Sequence, residues 1–249
     1  MLTVGVDLAA EPAGTAIAAL EWSGAGARLV EVVLPGDDDA VVKAVLRADK
    51  AGIDCPLGWP DEFVAFVSGH RLGAAAYDAA LTGRAGRRRV AWRHTDEVVR
   101  AVTGVPPLSV AADLIAHAAF RCASLQARIA ELGAPVDRSG AGTVVEVYPA
   151  ASLKLWGLPS RGYKRPKNRA VLGVLVDRLA ELVPWLDLGG HEQLCRRSDH
   201  VLDAVVAALT ARAVARGQAS RPDRHELAAA RTEGWIALPT GPLSALRDC

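Results

Sequence analysis

Leu2, Val4, Val6 and Leu8 alternate with Thr3, Gly5 and Asp7, the period-2 pattern of a strand whose successive side chains point to opposite faces. Asp7 falls on the less apolar of the two. A turn-like stretch at 9–14 leads into a second apolar run over 15–22, and Ser23-Gly-Ala-Gly26 leads into a third over 28–34. Three strands joined by short glycine-containing connections predict an antiparallel meander. After Pro35-Gly36, the run Asp37-Asp38-Asp39 suits a helix N-terminus, and Val41, Val42, Val45 and Leu46 form one helical face. A short apolar strand broken by proline follows at 51–58 and carries Asp54.

Residues 59–140 read as mostly helical, with an Arg-rich interruption from Arg84 to Arg93 and a helix-like run from Val110 to Leu132. The expectation is an insertion or cap rather than an independent domain. Strand and helix then alternate again. Thr143 to Pro149 reads as a strand, Asn168 to Leu182 as a helix through Val171, Leu172, Leu175, Val176 and Leu179, and Ser198 as the N-cap of a last long helix. In that helix Leu202, Val205, Val206, Leu209 and Ala213 are expected to form the buried stripe. The order predicts an α/β fold over 1–249 as a single domain. Its expected core is a mixed five-stranded sheet, the first three strands antiparallel, flanked by helices, with the helical insertion between strands 4 and 5.

At 249 residues and 51% hydrophobic the chain can build a substantial core, which excludes disorder as its main description. A net charge of +1 gives no global attraction to nucleic acid or membranes, so any such partner must be met by a local patch. Charges interrupt every apolar run well short of a membrane span, and the chain starts on a strand-like segment, so neither a signal peptide, an anchor nor a membrane partner is expected. Cys55, Cys122, Cys195 and Cys249 lie far apart, without a C-x-x-C pair. This spacing points to a reduced, cytoplasmic protein and against zinc. Neither a nucleophile elbow nor a phosphate-binding P-loop occurs.

The chemistry-bearing signal lies in the acids. Asp7, Asp54 and Glu146 each sit in an otherwise apolar strand, where a buried charge is expensive unless paired or bound to a cation. Asp199 and Asp203 are spaced i, i+4 on the last helix and so share a face. Convergence of these groups would suit Mg²⁺ or Mn²⁺, ions that take oxygen ligands, and phosphodiester hydrolysis. Simpler roles compete at each position: turn hydrogen bonding for Asp54, the helix dipole for Asp199, and an ion pair with Arg93 or Lys164 for Glu146. Two basic runs, Arg84 to Arg100 and Arg161 to Arg169, would suit a phosphate backbone or, more plainly, a solvated loop. His200, between Asp199 and Asp203, is placed to shuttle a proton or to face solvent.

Seven segments in order carry a resemblance: Val4-Gly-Val-Asp7, Ile53-Asp54-Cys-Pro-Leu-Gly-Trp-Pro60, Arg93-His-Thr-Asp96, Glu146-Val-Tyr-Pro149, Tyr163-Lys164, Asp199-His-Val-Leu-Asp203-Ala and Glu233-Gly-Trp-Ile236. Together they resemble a family of domain-of-unknown-function proteins regarded as nucleases with an RNase H-like fold. The resemblance implies Asp7 as the metal-bridging acid of the first strand, Asp54 on the fourth and Asp203 on the closing helix, with Glu146 in the family's Glu-x-x-Pro element. Asp7, Asp54, Glu146 and Asp203 are therefore the expected catalytic acids. Asp7, Asp54, Asp199 and Asp203 are the expected ligands of Mg²⁺ or Mn²⁺, and Arg89, Arg93, Asp96, Lys164 and Arg165 the expected contacts to a DNA or RNA substrate. Two alternatives stand beside the metal-dependent nuclease: a non-catalytic nucleic-acid or protein binding module, and an actin-like ATP-handling protein, against which the single copy of the fold speaks.

Overall fold

The computed structural model describes residues 1–24, 26–75 and 78–247. Strands β1 (Leu2–Asp7), β2 (Ala16–Ser23) and β3 (Gly26–Val33) form the expected antiparallel meander. Helix α1 (Asp38–Arg47) starts at Asp37, whose carboxylate accepts the Ala40 N–H, and crosses over so that β4 (Lys50–Asp54) pairs parallel to β1. The chain then makes α2 (Asp61–Arg71), α3 (Arg84–Ala91), α4 (His94–Thr103) and α5 (Ile115–Glu131) before β5 (Val144–Glu146) joins β4 in parallel. Helices α6 (Pro149–Leu155) and α7 (Arg169–Leu182), strand β6 (Leu186–Asp187), and helices α8 (Glu192–Cys195), α9 (Asp199–Ala215) and α10 (Leu227–Glu233) complete it.

The sheet order is β5-β4-β1-β2-β3-β6, so the expected count of five strands is corrected to six. The added strand, β6, pairs with β3 through only two residues, too few to produce any periodicity in the sequence. The Arg-rich stretch expected to interrupt the helices is itself helical, as α3, with Gly86 packed tightly against Ala80 of the preceding turn. The run from Val110 is helical only from Ile115.

Helices cover both faces of the sheet. Val4, Val6, Ile17 and Ile53 pack with α1 and α5 on one face; Ala16, Ala18, Leu20 and Val145 pack with α6, α7 and α9 on the other. The less apolar face of β1 is thus as buried as its partner, and its glycine has a steric reason. A Cβ on Gly5 would lie 1.9 Å from the Ala204 carbonyl oxygen, and one on Gly52 of the neighbouring strand 2.5 Å from that of Ala207. Helix α9 therefore rests almost backbone-to-backbone on β1 and β4. Ser198 caps it by accepting the Val201 N–H, and every residue from Val201 to Val214 is buried. The expected stripe is a helix enclosed on all sides, as its all-round apolar composition allows. Among the described residues no helix is long and apolar enough to cross a membrane, and Cys55, Cys122 and Cys195 are free and buried; Cys249 lies outside the described residues.

Candidate metal centre

Asp7 and Asp54 are the last residues of β1 and β4 and are register partners in that parallel pair. Parallel neighbours in register point to the same face, here the one under α9. Asp203, one turn into α9, descends onto them because Gly5 and Gly52 let the helix approach so closely. A ligand atom from each of Asp7, Asp54 and Asp203 lies within 4.8 Å of the other two.

Glu146 pairs in register with Ile53, one residue short of Asp54. Alternation along the strand therefore turns Glu146 to the opposite face from Asp54. There its oxygens accept from Arg93 at 2.7 and 2.8 Å and from the Leu57 N–H at 2.9 Å. Arg93 also donates to Asp96 at 2.8 and 3.2 Å and to the Glu233 carbonyl at 3.1 Å. These contacts use all five N–H donors of the guanidinium. Glu233 closes the knot by accepting the N–H groups of Asp61 and His94, each at 2.8 Å. Gly234, at φ +97°, is required beside it, since a Cβ there would meet Glu146 Oε2 at 2.7 Å. Arg93, Asp96, Glu146 and Glu233, which the sequence scatters over three segments, thus latch the helical insertion onto the core.

The other candidates are placed as follows. Asp199 accepts the Arg165 N–H at 2.9 Å and stands outside the three-acid group. Arg89 reaches toward Glu62 and Asp78 at 3.6 Å, and its neighbours are similarly engaged: Arg88 pairs with Glu97 and stacks on Trp92, and Arg100 pairs with Glu97 at 2.9 Å. Lys164 Nζ lies 2.6 Å from Asp203 Oδ2. The Arg165 side chain is on the exposed surface of the loop after it.

Burial and the neighbouring acids raise the proton affinity of Asp54 and Asp203. Burial pushes the Asp54 carboxyl well above the usual range, Lys164 pulls it back, and Asp7 and Asp203 add to the rise. Burial likewise pushes Asp203 up to about 6 against the pull of Lys164. Three donors from the protein hold the cluster: Tyr163 Oη donates to Asp203 Oδ1 at 2.7 Å, Lys164 pairs with Oδ2, and His200 Nδ1 lies 2.6 Å from Asp7 Oδ2. The hydrogen bond to Asp7 raises the His200 pKa. Asp54 accepts no hydrogen bond from any described residue. A crowded, all-carboxylate donor set with one member unpartnered fits a hard divalent cation such as Mg²⁺ or Mn²⁺.

The cluster opens into a cleft of about 550 Å³. Its lining includes an apolar set, Val105, Pro106, Pro107, Leu108 and Ile115, together with Arg161 and Tyr148. This apolar set carries no sequence motif, whereas Tyr163 belongs to the Tyr163-Lys164 segment of the resemblance, without a role assigned to it there. The cleft volume is in the range of sites that take small ligands or the reacting part of a larger one.

No curated protein and no solved structure matches this chain. One family model does, the family described as "Protein of unknown function (DUF429)", over residues 5–227. This span contains all three clustered acids, Arg93, Asp96 and Glu146 of the latch, and Lys164, and by it the chain belongs to the DUF429 family.

Proposed function

We propose that the protein is a metal-dependent phosphodiesterase acting on nucleic acid, built on an RNase H-like core. The observation that carries this reading is the placement of Asp7, Asp54 and Asp203 within 4.8 Å of one another, with Asp7 and Asp54 lining an open cleft. The meander β1–β3 extended by parallel β4 and β5, with α9 closing over β1 and β4, agrees with the core that the sequence resemblance implies. Asp7, Asp54 and Asp203 would hold Mg²⁺ or Mn²⁺. A divalent cation there supplies a lowered pKa for the attacking water and charge stabilisation for the leaving oxygen.

The chain's own residues do the remaining work. His200 fixes the rotamer of Asp7, and Tyr163 that of Asp203, so the carboxylates are pre-aligned. Arg161 and Lys164, both on the cleft wall, supply positive charge for a phosphate. The apolar wall of Pro106, Pro107 and Leu108 offers a surface for a base or sugar and excludes water from one side of the cleft. Lys164 also supports a second reading, a non-catalytic binding module, because its ammonium already neutralises part of the acid cluster.

The test is cleavage of a panel of single-stranded, duplex, hybrid and four-way-junction nucleic acids in Mg²⁺ or Mn²⁺ by wild type and Asp7→Asn. The phosphodiesterase reading expects cleavage that requires the metal and falls to background in the variant. Salt-sensitive binding without cleavage, by a folded wild-type protein, would replace it with the binding module.

A further inference from the structure

Among the described residues, Lys164 is the one lysine or arginine whose charge is directly bonded to the acid cluster, and half of its surface is exposed. Its ammonium is 2.6 Å from Asp203 Oδ2, and Tyr163 occupies the other oxygen of the same carboxylate. A cation held by Asp203 with Asp7 and Asp54 would need a lone pair on that carboxylate. Oδ2 keeps a second lone pair, but an ammonium held 2.6 Å from it repels a divalent ion on the same oxygen, so the two positive charges compete for this carboxylate.

The backbone that delivers Lys164 is itself held under tension. Arg165, the next residue, has φ +82° with ψ 148°, a combination that residues with a side chain rarely adopt. It is kept there by Asp199, whose carboxylate accepts the Arg165 N–H at 2.9 Å from the first turn of α9. Gly162, at φ +78°, provides a turn on the other side of the Tyr163-Lys164 pair. Asp199, expected from its spacing to be a metal ligand, thus anchors the loop that points Lys164 inward.

We propose that Lys164 is an internal cation that holds the metal position in the metal-free protein and leaves it by exchange when a divalent ion binds. This inference rests on the metal-site reading above. Departure of the ammonium frees Asp203 Oδ2, relieves the backbone at Arg165, and swings the charge along its exposed stem into the cleft, where a phosphate of the substrate would meet it.

The experiment measures Mn²⁺ binding by calorimetry to wild type, Lys164→Met, Lys164→Gln and Asp7→Asn, each checked for folding by circular dichroism. In parallel, reductive methylation of wild-type lysines with and without Mg²⁺ is followed by peptide mass spectrometry, with exposed Lys43 and Lys167 as references. Exchange predicts that Lys164→Met binds Mn²⁺ about tenfold or more tightly than wild type. It also predicts that Mg²⁺ raises the labelling of Lys164 severalfold and leaves the reference lysines unchanged. Equal Mn²⁺ affinities, or labelling of Lys164 that ignores Mg²⁺, would overturn the exchange and leave the metal site standing. Absence of Mn²⁺ binding in every folded variant would overturn the metal site and the exchange together. The labelling arm uses only the wild-type chain, so the inference remains testable if a substituted protein fails to fold.

Discussion

Replacing Arg93 by Met tests the latch between the insertion and the core. The guanidinium is 1% exposed, Asp96 1% and Glu146 2%, so the substitution leaves two carboxylates buried with their main counter-charge gone. Although burial works against the charged form, Glu146 and Asp96 raise the pKa of Arg93 and keep it protonated. At an effective dielectric of about 20, each unit-charge pair about 4 Å apart contributes roughly 4 kcal/mol before desolvation is subtracted. Glu146 retains the Leu57 N–H and Asp96 the Arg93 backbone N–H, so part of the loss is recovered. Breaking a buried pair by removing one partner costs roughly 3–5 kcal/mol, and about 4 kcal/mol is expected here. For a chain of this length that corresponds to a fall in Tm of roughly 10 °C. Urea denaturation followed by circular dichroism measures it, and Arg93→Met/Glu146→Leu should regain part of the stability because only Asp96 is then left without its partner. A loss below about 1 kcal/mol for Arg93→Met would refute the reasoning. It would mean that the pair is hydrated, and would return Arg93 to the substrate-binding role that its basic neighbourhood suggests.

The remaining predictions concern the site and its support. Asp54→Asn should abolish cleavage and yet stabilise the protein in chelator by about 1–2 kcal/mol at neutral pH, since it removes a buried repulsion. The raised Asp54 pKa means that the folded state binds more protons than the unfolded one, so wild-type stability falls as pH rises through that range and the advantage of the variant grows with it; an advantage that shrinks with rising pH would refute this. Gly5→Ala should destabilise by roughly 3 kcal/mol, because the added Cβ would lie 1.9 Å from the Ala204 carbonyl oxygen and α9 must lift off the sheet; a urea midpoint equal to that of wild type would disprove the close approach. His200, raised by its bond to Asp7, contributes stability that is complete below about pH 6.5 and fades as pH rises through its folded pKa. The difference between wild type and His200→Gln should therefore be larger at pH 6 than at pH 8.5, and below about 1 kcal/mol because the ring is half exposed. Cys55, Cys122 and Cys195 should resist thiol reagents in the native protein and react on unfolding, as peptide mass mapping would show.

Short-range pattern made the element order legible. Period-2 alternation marked β1, the aspartates at 37–39 marked the start of α1, and Ser198 marked the start of α9, because strands, caps and helix faces are set by residues within a turn or two of one another. The acids in apolar strands were visible for the same reason: an unneutralised charge in such a run stands out against its neighbours. The sequence placed Asp7 and Asp54 on strands; that both strands end there, in register with each other, is set by the parallel pairing of β1 with β4.

Which acids meet was a tertiary decision. Glu146 looked equivalent to Asp54 along the chain, but a register offset of one residue turned it through the sheet, and only the pairing of β4 with β5 sets that offset. Asp199 and Asp203 share a helix face, and the depth to which α9 sinks onto Gly5 and Gly52 decided that Asp203 reaches the cluster while Asp199 holds a loop. The basic run around Arg93 read as a surface for phosphate. Its charges pair with Glu97 inside the run and with Glu62, Asp78 and Glu146 outside it, the last 53 positions from Arg93 and beyond any local window. Lys164 entered the acid cluster by the same rule: burying like charges together requires a counter-charge, and the folded chain, rather than its sequence, determines which residue is near enough to provide it.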